Sequence, residues 1–337
     1  MIKELSQILL NKRDLSSKQM RKAMEEIISG DTETEDIVNF LEALCQKGES
    51  INEVAEAARV MREHAVKIHA KEQVILDTCG TGGDKKGSFN ISTAVALVVS
   101  ACGVMVAKHG NRSVSSQSGS ADVLEALGVN ITMTPQQIER CLRDVGIAFL
   151  FAPGLHPAMK HAMPARKLIN HRTIFNILGP LCNPAQATHQ LIGVYDEKLV
   201  LLLAGVLNAL GSHHALVVHG DDGLDEITTT TSTFIAEVKL GKVSNFRINP
   251  EEFGLTLVTE ADLRGGSAKD NAAIIQGILE GHSGPKRDIV ILNAAASLYA
   301  AGKVKSIKEG IPLAKAVIDS QEALHKLEAL QEASLKP

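Results

Sequence analysis

The sequence predicts an α/β protein in two unequal parts: a small all-helical N-terminal domain over residues 1–70, and a larger α/β domain over 73–337 with a mostly parallel central sheet. Three observations carry this. Apolar residues recur at helical spacing through the first seventy positions, with almost no β-branched run between them. At Val74 the pattern changes to short apolar runs ending in Gly, Asp or His, which alternate with helical stretches. That is the pattern of parallel strands joined by helical crossovers. Residues 160–185 then interrupt the alternation with Pro164, Pro180 and Pro184, so this stretch is expected to cross to the helical domain rather than sit in the sheet.

The elements follow in order. Helices are expected over 2–10, 17–29, 35–47 and 51–69, with Ser17, Asp31 and Asn52 near their starts. Strands are expected at 74–76, 104–107, 148–151, 191–195 and 215–219, and helices between them at 93–101, 121–127, 135–144 and 198–210. Residues 232–240 have strand character and precede a turn at Gly241-Lys242. From Asp270 the chain returns to helix, ending in one long pattern over 311–333.

Bulk properties exclude several classes of function. A chain of 337 residues has room for about two domains. The hydrophobic fraction of 45% supports a real core, and the net charge of -4 comes with no basic stretch to bind nucleic acid. Aromatics are 3% and tryptophan is missing, which disfavours stacking platforms for single strands. The five cysteines are odd in number and never spaced C-x-x-C, which argues against a disulfide framework or zinc ribbon and suits a reducing cytoplasm. The N-terminus lacks a signal-peptide layout. The most apolar stretch, 93–107, is broken by Ser100 and Gly103 and is too short to span a membrane.

The most informative segment is Asp77-Thr78-Cys79-Gly80-Thr81-Gly82-Gly83-Asp84, directly after an apolar run. Its glycines allow backbone conformations closed to other residues, so N–H groups can close around a phosphate. The dinucleotide fingerprint G-x-G-x-x-G fails because Lys85 stands at its last glycine, and the P-loop fails because Ser88 stands at its lysine. Asp84 is unusual beside a phosphate and suggests a bridging metal or a second, cationic shell.

Four more blocks follow. Phe89-Asn90-Ile91-Ser92-Thr93 opens an apolar helix, whose N-terminus is a natural anion site and whose Ser or Thr is also a plain N-cap. Lys108-His109-Gly110-Asn111-Arg112 ends a strand and runs into a loop rich in serine and glycine, where ligands bind in open α/β sheets. His156 and His161 are five apart and do not share a helix face as a zinc pair would, whereas Arg166 is a candidate carboxylate binder. Finally, Asp221, Asp222, Asp225 and Glu226 follow a strand in a glycine-containing loop and suit Mg²⁺, which binds through one or two carboxylates plus substrate phosphates.

Taken in order, residues 77–84, 90–93, 108–120, 156–166 with 172–184, and Asp225-Glu226 resemble the anthranilate phosphoribosyltransferase family of tryptophan biosynthesis. The resemblance implies a nucleoside phosphorylase-like fold, a homodimer formed through the helical domain, and transfer of a phosphoribosyl group from phosphoribosyl pyrophosphate to anthranilate. It places Gly80, Gly83, Asp84, Ser88, Asn90, Ile91, Ser92, Thr93, Lys108, Asn111, Ser116 and Ser120 at phosphoribosyl pyrophosphate. It places Gly80, Asn111 and Arg166 at anthranilate, with Arg166 facing the carboxylate, and Ser92, Asp225 and Glu226 at Mg²⁺. Asp84 is left to orient ribose, loop or metal-bound water. No residue is an obvious general base; His109 is the one candidate acceptor, and its plainer reading is a hydrogen-bonded loop histidine.

Two departures are visible: Ser88 where threonine is common, which keeps the hydroxyl, and Cys182 before Asn183-Pro184, read as packing. A nucleoside phosphorylase is disfavoured because Asp77-Thr78-Cys79 stands where its pyrimidine members carry lysine, histidine, serine and threonine. A non-catalytic relative that binds nucleic acid is opposed by the net charge and by the intact acids.

Overall fold

The computed structural model describes residues 1–113 and 117–336. Four helices open the chain: α1 (Ile2–Leu10), α2 (Ser17–Ser29), α3 (Thr34–Lys47) and α4 (Ile51–Glu63). Capping boxes start α2 at Ser16 with Gln19 and α4 at Ser50 with Glu53, one and two residues before the expected Ser17 and Asn52. Asp31 lies in the turn ahead of α3, whose N-cap is Glu33. The expected helix over 51–69 stops at Glu63. Beyond it the backbone bonds to the larger domain instead: the Val66 N–H donates to Leu155 O at 2.9 Å and the Ile68 N–H to Pro184 O at 3.3 Å.

The α/β part runs β1 (Ile75–Gly80), α5 (Ile91–Ala101), β2 (Met105–Gly110), α6 (Ser120–Ala126), α7 (Pro135–Val145) and β3 (Ile147–Phe151). The short helices α8 (Ala152–Leu155), α9 (Met163–Leu168) and α10 (Phe175–Leu178) follow. Then come β4 (His189–Gly193), α11 (Lys198–Ala209), β5 (His214–Gly220), β6 (Thr233–Lys239) and β7 (Lys242–Ile248). The chain ends in α12 (Ala268–Leu279), α13 (Pro285–Ala300), α14 (Ile307–Asp319) and α15 (Glu322–Leu335).

The sheet order is β3-β2-β1-β4-β5-β6-β7, parallel through β5 and antiparallel beyond it. β7 was not expected: it is a largely exposed edge strand, so no alternating apolar face marks it. The single C-terminal pattern over 311–333 is two helices, broken where Gln321 takes a φ of 62°.

Two cores form on opposite faces of the sheet, and successive strand residues divide between them as the period of two requires. Leu191, Leu216 and Val218 face a core with α5, α13 and α15. Ile192, Val194, Ala215 and Val217 face α11, the N-terminal helices and buried residues between Ala162 and Cys182. The crossing stretch therefore packs with the helical bundle. Because β1, β2, β4 and β5 are parallel, the loops at their C-terminal ends gather at one edge of the sheet. No helix among the described residues is long and apolar enough to cross a membrane.

Candidate active site

That edge carries the expected residues. Gly80 ends β1, and Gly82 and Gly83 turn the chain with φ of 65° and 79°. The Thr81 N–H donates to Gly193 O at 2.9 Å, anchoring the loop on β4. The Gly82 N–H donates to Asp225 Oδ2 at 2.9 Å, so the loop after β5 rests on the glycine loop. A side chain at Gly193 would strike the Asp225 carbonyl, and a Cβ at Gly80 would lie 2.9 Å from Asp225 Oδ2. Both glycines make room for the acid.

Glu226 Oε1 accepts the Ser92 N–H at 3.1 Å, at the start of α5. Lys108, buried at the end of β2, donates from Nζ to Thr78 O at 2.5 Å and to Ser92 Oγ at 3.3 Å. Burial pushes the lysine down, and Asp77 and Glu226 push it back up. Burial raises Asp225, with the Asp84 charge adding to it; burial raises Glu226 too, with Asp225 adding. Asp84 Oδ2 is buried with no well-formed hydrogen bond, while its Oδ1 accepts the Lys86 N–H at 3.2 Å.

Among the described residues no group of three acid, histidine or cysteine side chains already stands in metal-holding geometry. The donors nonetheless fit a hard dication completed by substrate oxygens. The carboxyls of Asp84, Asp225 and Glu226 outnumber the Lys108 ammonium, and one buried oxygen of Asp84 has no well-formed hydrogen bond among the described residues.

Other expected residues divide between the edge and the interior. Asn90 Oδ1 accepts from Ser118 Oγ at 3.2 Å and from Asn271 Nδ2 at 2.9 Å, fixing the residue before α5. Ser88 pairs with Arg264 in an isolated antiparallel bridge, so residues near 264 back the glycine loop. Asn111 O accepts from Ser120 Oγ at 3.4 Å at the start of α6. Ser116 lies outside the described residues. Ile91 and Thr93 are buried; among the described residues the Thr93 hydroxyl has no hydrogen-bond partner, and it lines a small space with Leu97, Leu124 and Phe149. Cys182 packs in the core, where burial pushes its thiol up to about 12.

Arg166 stands apart from this cluster. Its guanidinium lies 5.6 Å from the Phe175 ring centroid, and Nη1 is 3.9 Å from Met163 Sδ. Among the described residues no hydrogen bond or ion pair joins it to Gly80, Asn111 or an acid. Burial alone acts on it, lowering its pKa. Arg166 is therefore a half-buried cation free to meet an anion.

Reading the sequence missed several participants. His156 lies 5.1 Å from His109, ring centroid to centroid. Burial pushes His109 down to about 3 and His156 to about 4, so both are neutral. His109 Nδ1 faces Gly179 O at 3.2 Å, but its Nε2 and both nitrogens of His156 are buried without well-formed partners. Asp77 is fully buried and accepts the His109 N–H at 3.0 Å and Asn183 Nδ2 at 2.8 Å; burial pushes it up to about 6. Asn293 on α13 donates to Ile227 O at 2.8 Å and accepts the Ile227 N–H at 2.9 Å, beside the acid pair. Local sequence offered no signal for these partnerships, which join residues far apart in the chain.

Comparison with known proteins places this geometry. Residues 72–324 match the family model described as glycosyl transferase family, a/b domain, and residues 3–65 match its helical bundle domain. The chain is 51% identical over 319 residues to an anthranilate phosphoribosyltransferase of Petrotoga mobilis, covering 95% of this chain and 93% of that one. The crystal structure of anthranilate phosphoribosyltransferase from Thermus thermophilus superposes with a TM-score of 0.94 at 40% identity, covering 98% and 99% of the two chains. The enzyme from Saccharomyces cerevisiae in complex with PRPP and Mg gives 0.91 at 29% identity, covering 99% and 97%.

Proposed function

This chain belongs to the anthranilate phosphoribosyltransferase family, and from that premise we propose how its residues divide the reaction. The protein transfers the phosphoribosyl group of phosphoribosyl pyrophosphate to the amine of anthranilate, giving N-(5-phosphoribosyl)anthranilate and pyrophosphate, in L-tryptophan biosynthesis. One observation supports the division of labour best: the glycine loop and the acid loop touch through Gly82 and Asp225, while Ser92 holds Glu226 and faces Lys108.

The diphosphate lies against the backbone of Gly80, Gly83 and Asp84 and the N-terminus of α5 at Asn90, Ile91, Ser92 and Thr93. Ser88, Lys108, Asn111, Ser116 and Ser120 complete that half of the site. Thr93 and Ile91 contribute backbone rather than side chain, since both side chains are buried. Asp225, Glu226 and Ser92 would hold Mg²⁺, with the Asp84 carboxyl beside Asp225. Bound there, the dication supplies charge neutralisation for the leaving diphosphate. The fit rests on the surplus of carboxylates over ammonium.

The aromatic amine is a weak nucleophile, so the C1–O bond to pyrophosphate breaks early and positive charge develops on the ribose. Loop amides and Lys108 stabilise the departing negative charge, and losing one such donor typically costs roughly 3–4 kcal/mol of barrier. Arg166 binds the anthranilate carboxylate and aims the amine at C1, a proximity effect. Gly80 and Asn111 complete the acceptor side. The anilinium formed on attack is acidic enough to lose its proton to water, and burial, which lowers His109, keeps that residue neutral and able to accept it.

We further infer two units, residues 1–70 with a contribution from about 160–185, and residues 73–337. The packing of residues 162–182 against the helices supports this division. A homodimer through the helical domain and a cytoplasmic location complete the reading. The deciding assay follows loss of anthranilate fluorescence with phosphoribosyl pyrophosphate, with and without Mg²⁺. Turnover that requires all three is expected; no loss of anthranilate under any condition would overturn the reading.

A further inference from the structure

Arg172 reaches from the crossing stretch to the loop after β1. Its Nη2 donates to Gly83 O, and its guanidinium carbon lies 3.3 Å from the Tyr195 ring centroid. Gly83 adopts a φ of 79°, and a Cβ there would lie 3.0 Å from Arg172 Nη2. Backbone conformation and the approach of the guanidinium both require glycine at this position. Among the described residues no carboxylate forms an ion pair with Arg172, so its charge remains directed at the loop.

The mounting of this side chain is rigid at both ends. Arg172 O accepts from Cys45 Sγ of α3 at 3.5 Å, and the neighbouring His171 pairs through Nε2 with Glu42 of α3 at 2.8 Å. Tyr195, just past β4, donates its N–H to Thr81 Oγ1 at 3.2 Å. The helical bundle and the sheet thus hold one guanidinium between them.

A peptide unit is planar, with its C=O and N–H on opposite sides. Drawing the Gly83 carbonyl toward Arg172 turns the Asp84 N–H away from it. We propose that Arg172, braced by the Tyr195 ring, is a positioning residue for phosphoribosyl pyrophosphate, setting the Gly83–Asp84 peptide so that its amide meets the diphosphate. The uncompensated guanidinium adds a positive potential behind the same loop. This rests on the proposed function of the glycine loop as the diphosphate cradle.

The test combines kinetics with hydrogen exchange. Arg172→Ala should raise the KM for phosphoribosyl pyrophosphate by about 10- to 100-fold, the range of a lost charge-assisted hydrogen bond. The anthranilate KM should stay within about twofold. Arg172→Lys should fail to rescue, because an ammonium lacks the planar fork that stacks and donates together. Tyr195→Ala should shift toward Arg172→Ala. In the ligand-free protein, Arg172→Ala should speed amide exchange in residues 82–87 and leave the core of α5 and α13 protected. Equal rises in both KM values, an unchanged KM for phosphoribosyl pyrophosphate, or faster exchange throughout the chain would overturn the proposal. An inactive wild type would overturn the functional reading instead, and the exchange arm would still decide the clamp.

Discussion

Asp225 Oδ2 accepts the Gly82 N–H at 2.9 Å, joining two loops 143 positions apart in the chain. The same oxygen stands 2.9 Å from where a Gly80 Cβ would project. An anion approaching the glycine loop therefore competes with Asp225 for that amide. The acid loop and the glycine loop are built as one unit.

Gly80→Ala tests that unit. The new methyl group pushes Asp225 off its amide, so kcat should fall at least about tenfold, as for loss of a preorganised donor. The fold should survive, since the clash is with a side-chain end at the edge of the sheet. Circular dichroism with steady-state kinetics checks both; full activity would show that Asp225 has no fixed seat.

Asp225→Asn with Glu226→Gln should abolish most Mg²⁺-dependent turnover while raising the melting temperature. Burial raises both carboxyls, with the Asp84 charge adding at Asp225 and the Asp225 charge adding at Glu226, so their ionised forms destabilise the fold at neutral pH. The amides keep the acceptor oxygens facing Gly82 and Ser92. Such gains at active sites are the usual counterpart of lost activity. A lower melting temperature would show that the acids hold the fold together.

Arg166→Ala should raise the anthranilate KM far more than that of phosphoribosyl pyrophosphate. The guanidinium has no acid partner among the described residues, so its removal orphans nothing in the protein. Initial-rate measurements varying each substrate check this. Equal effects would remove Arg166 from the acceptor side.

Three buried histidines should each withdraw stability between pH 6.5 and about 4, against the stability that the raised carboxyls of Asp77, Asp225 and Glu226 return as they protonate over the same window. His109, His156 and His189 are buried, and their pKa values are pushed down to about 3, about 4 and about 4 from an ordinary 6.5. A depressed pKa means the unfolded chain binds more protons. Stability is then fully present above 6.5 and is lost as pH falls toward the folded values, by up to about 1.4 kcal/mol per pH unit for each histidine. His189→Gln, at the start of β4 and far from the acid loop, isolates one histidine: relative to wild type its denaturant midpoint should gain as pH falls through this window, and an unchanged difference across pH would show that His189 carries no such penalty.

Asn293→Ala should cost roughly 2–4 kcal/mol, because it strands a buried N–H and a buried C=O of Ile227. It should also weaken activity, since Ile227 adjoins Glu226. Urea unfolding checks the first expectation; a change under 1 kcal/mol, below about half the lower figure, would show that water replaces the amide.

The strands and the glycine loop were legible because their signals are local: short apolar runs, then residues that turn. The acid pair was legible by composition alone. β7 was not, since an exposed edge strand carries no alternation. Helix 51–69 was read too long because the backbone of Val66 and Ile68 bonds to Leu155 and Pro184, which no window around residue 66 contains. His156 was noted for its spacing from His161, yet its relevant neighbour is His109.

By itself the sequence determined the α/β class, the helical start, the glycine turn at residues 80–84 and the paired acids at Asp225 and Glu226. Those properties depend on side-chain type and on spacing within a few residues. Only the tertiary structure decided that Asp225 lies on Gly82, that Asn293 braces Ile227, and that Arg172, stacked on Tyr195, reaches Gly83. Each of these pairings closes a long loop of chain, and its partner is selected by how sheet and helices pack rather than by any pattern along the sequence.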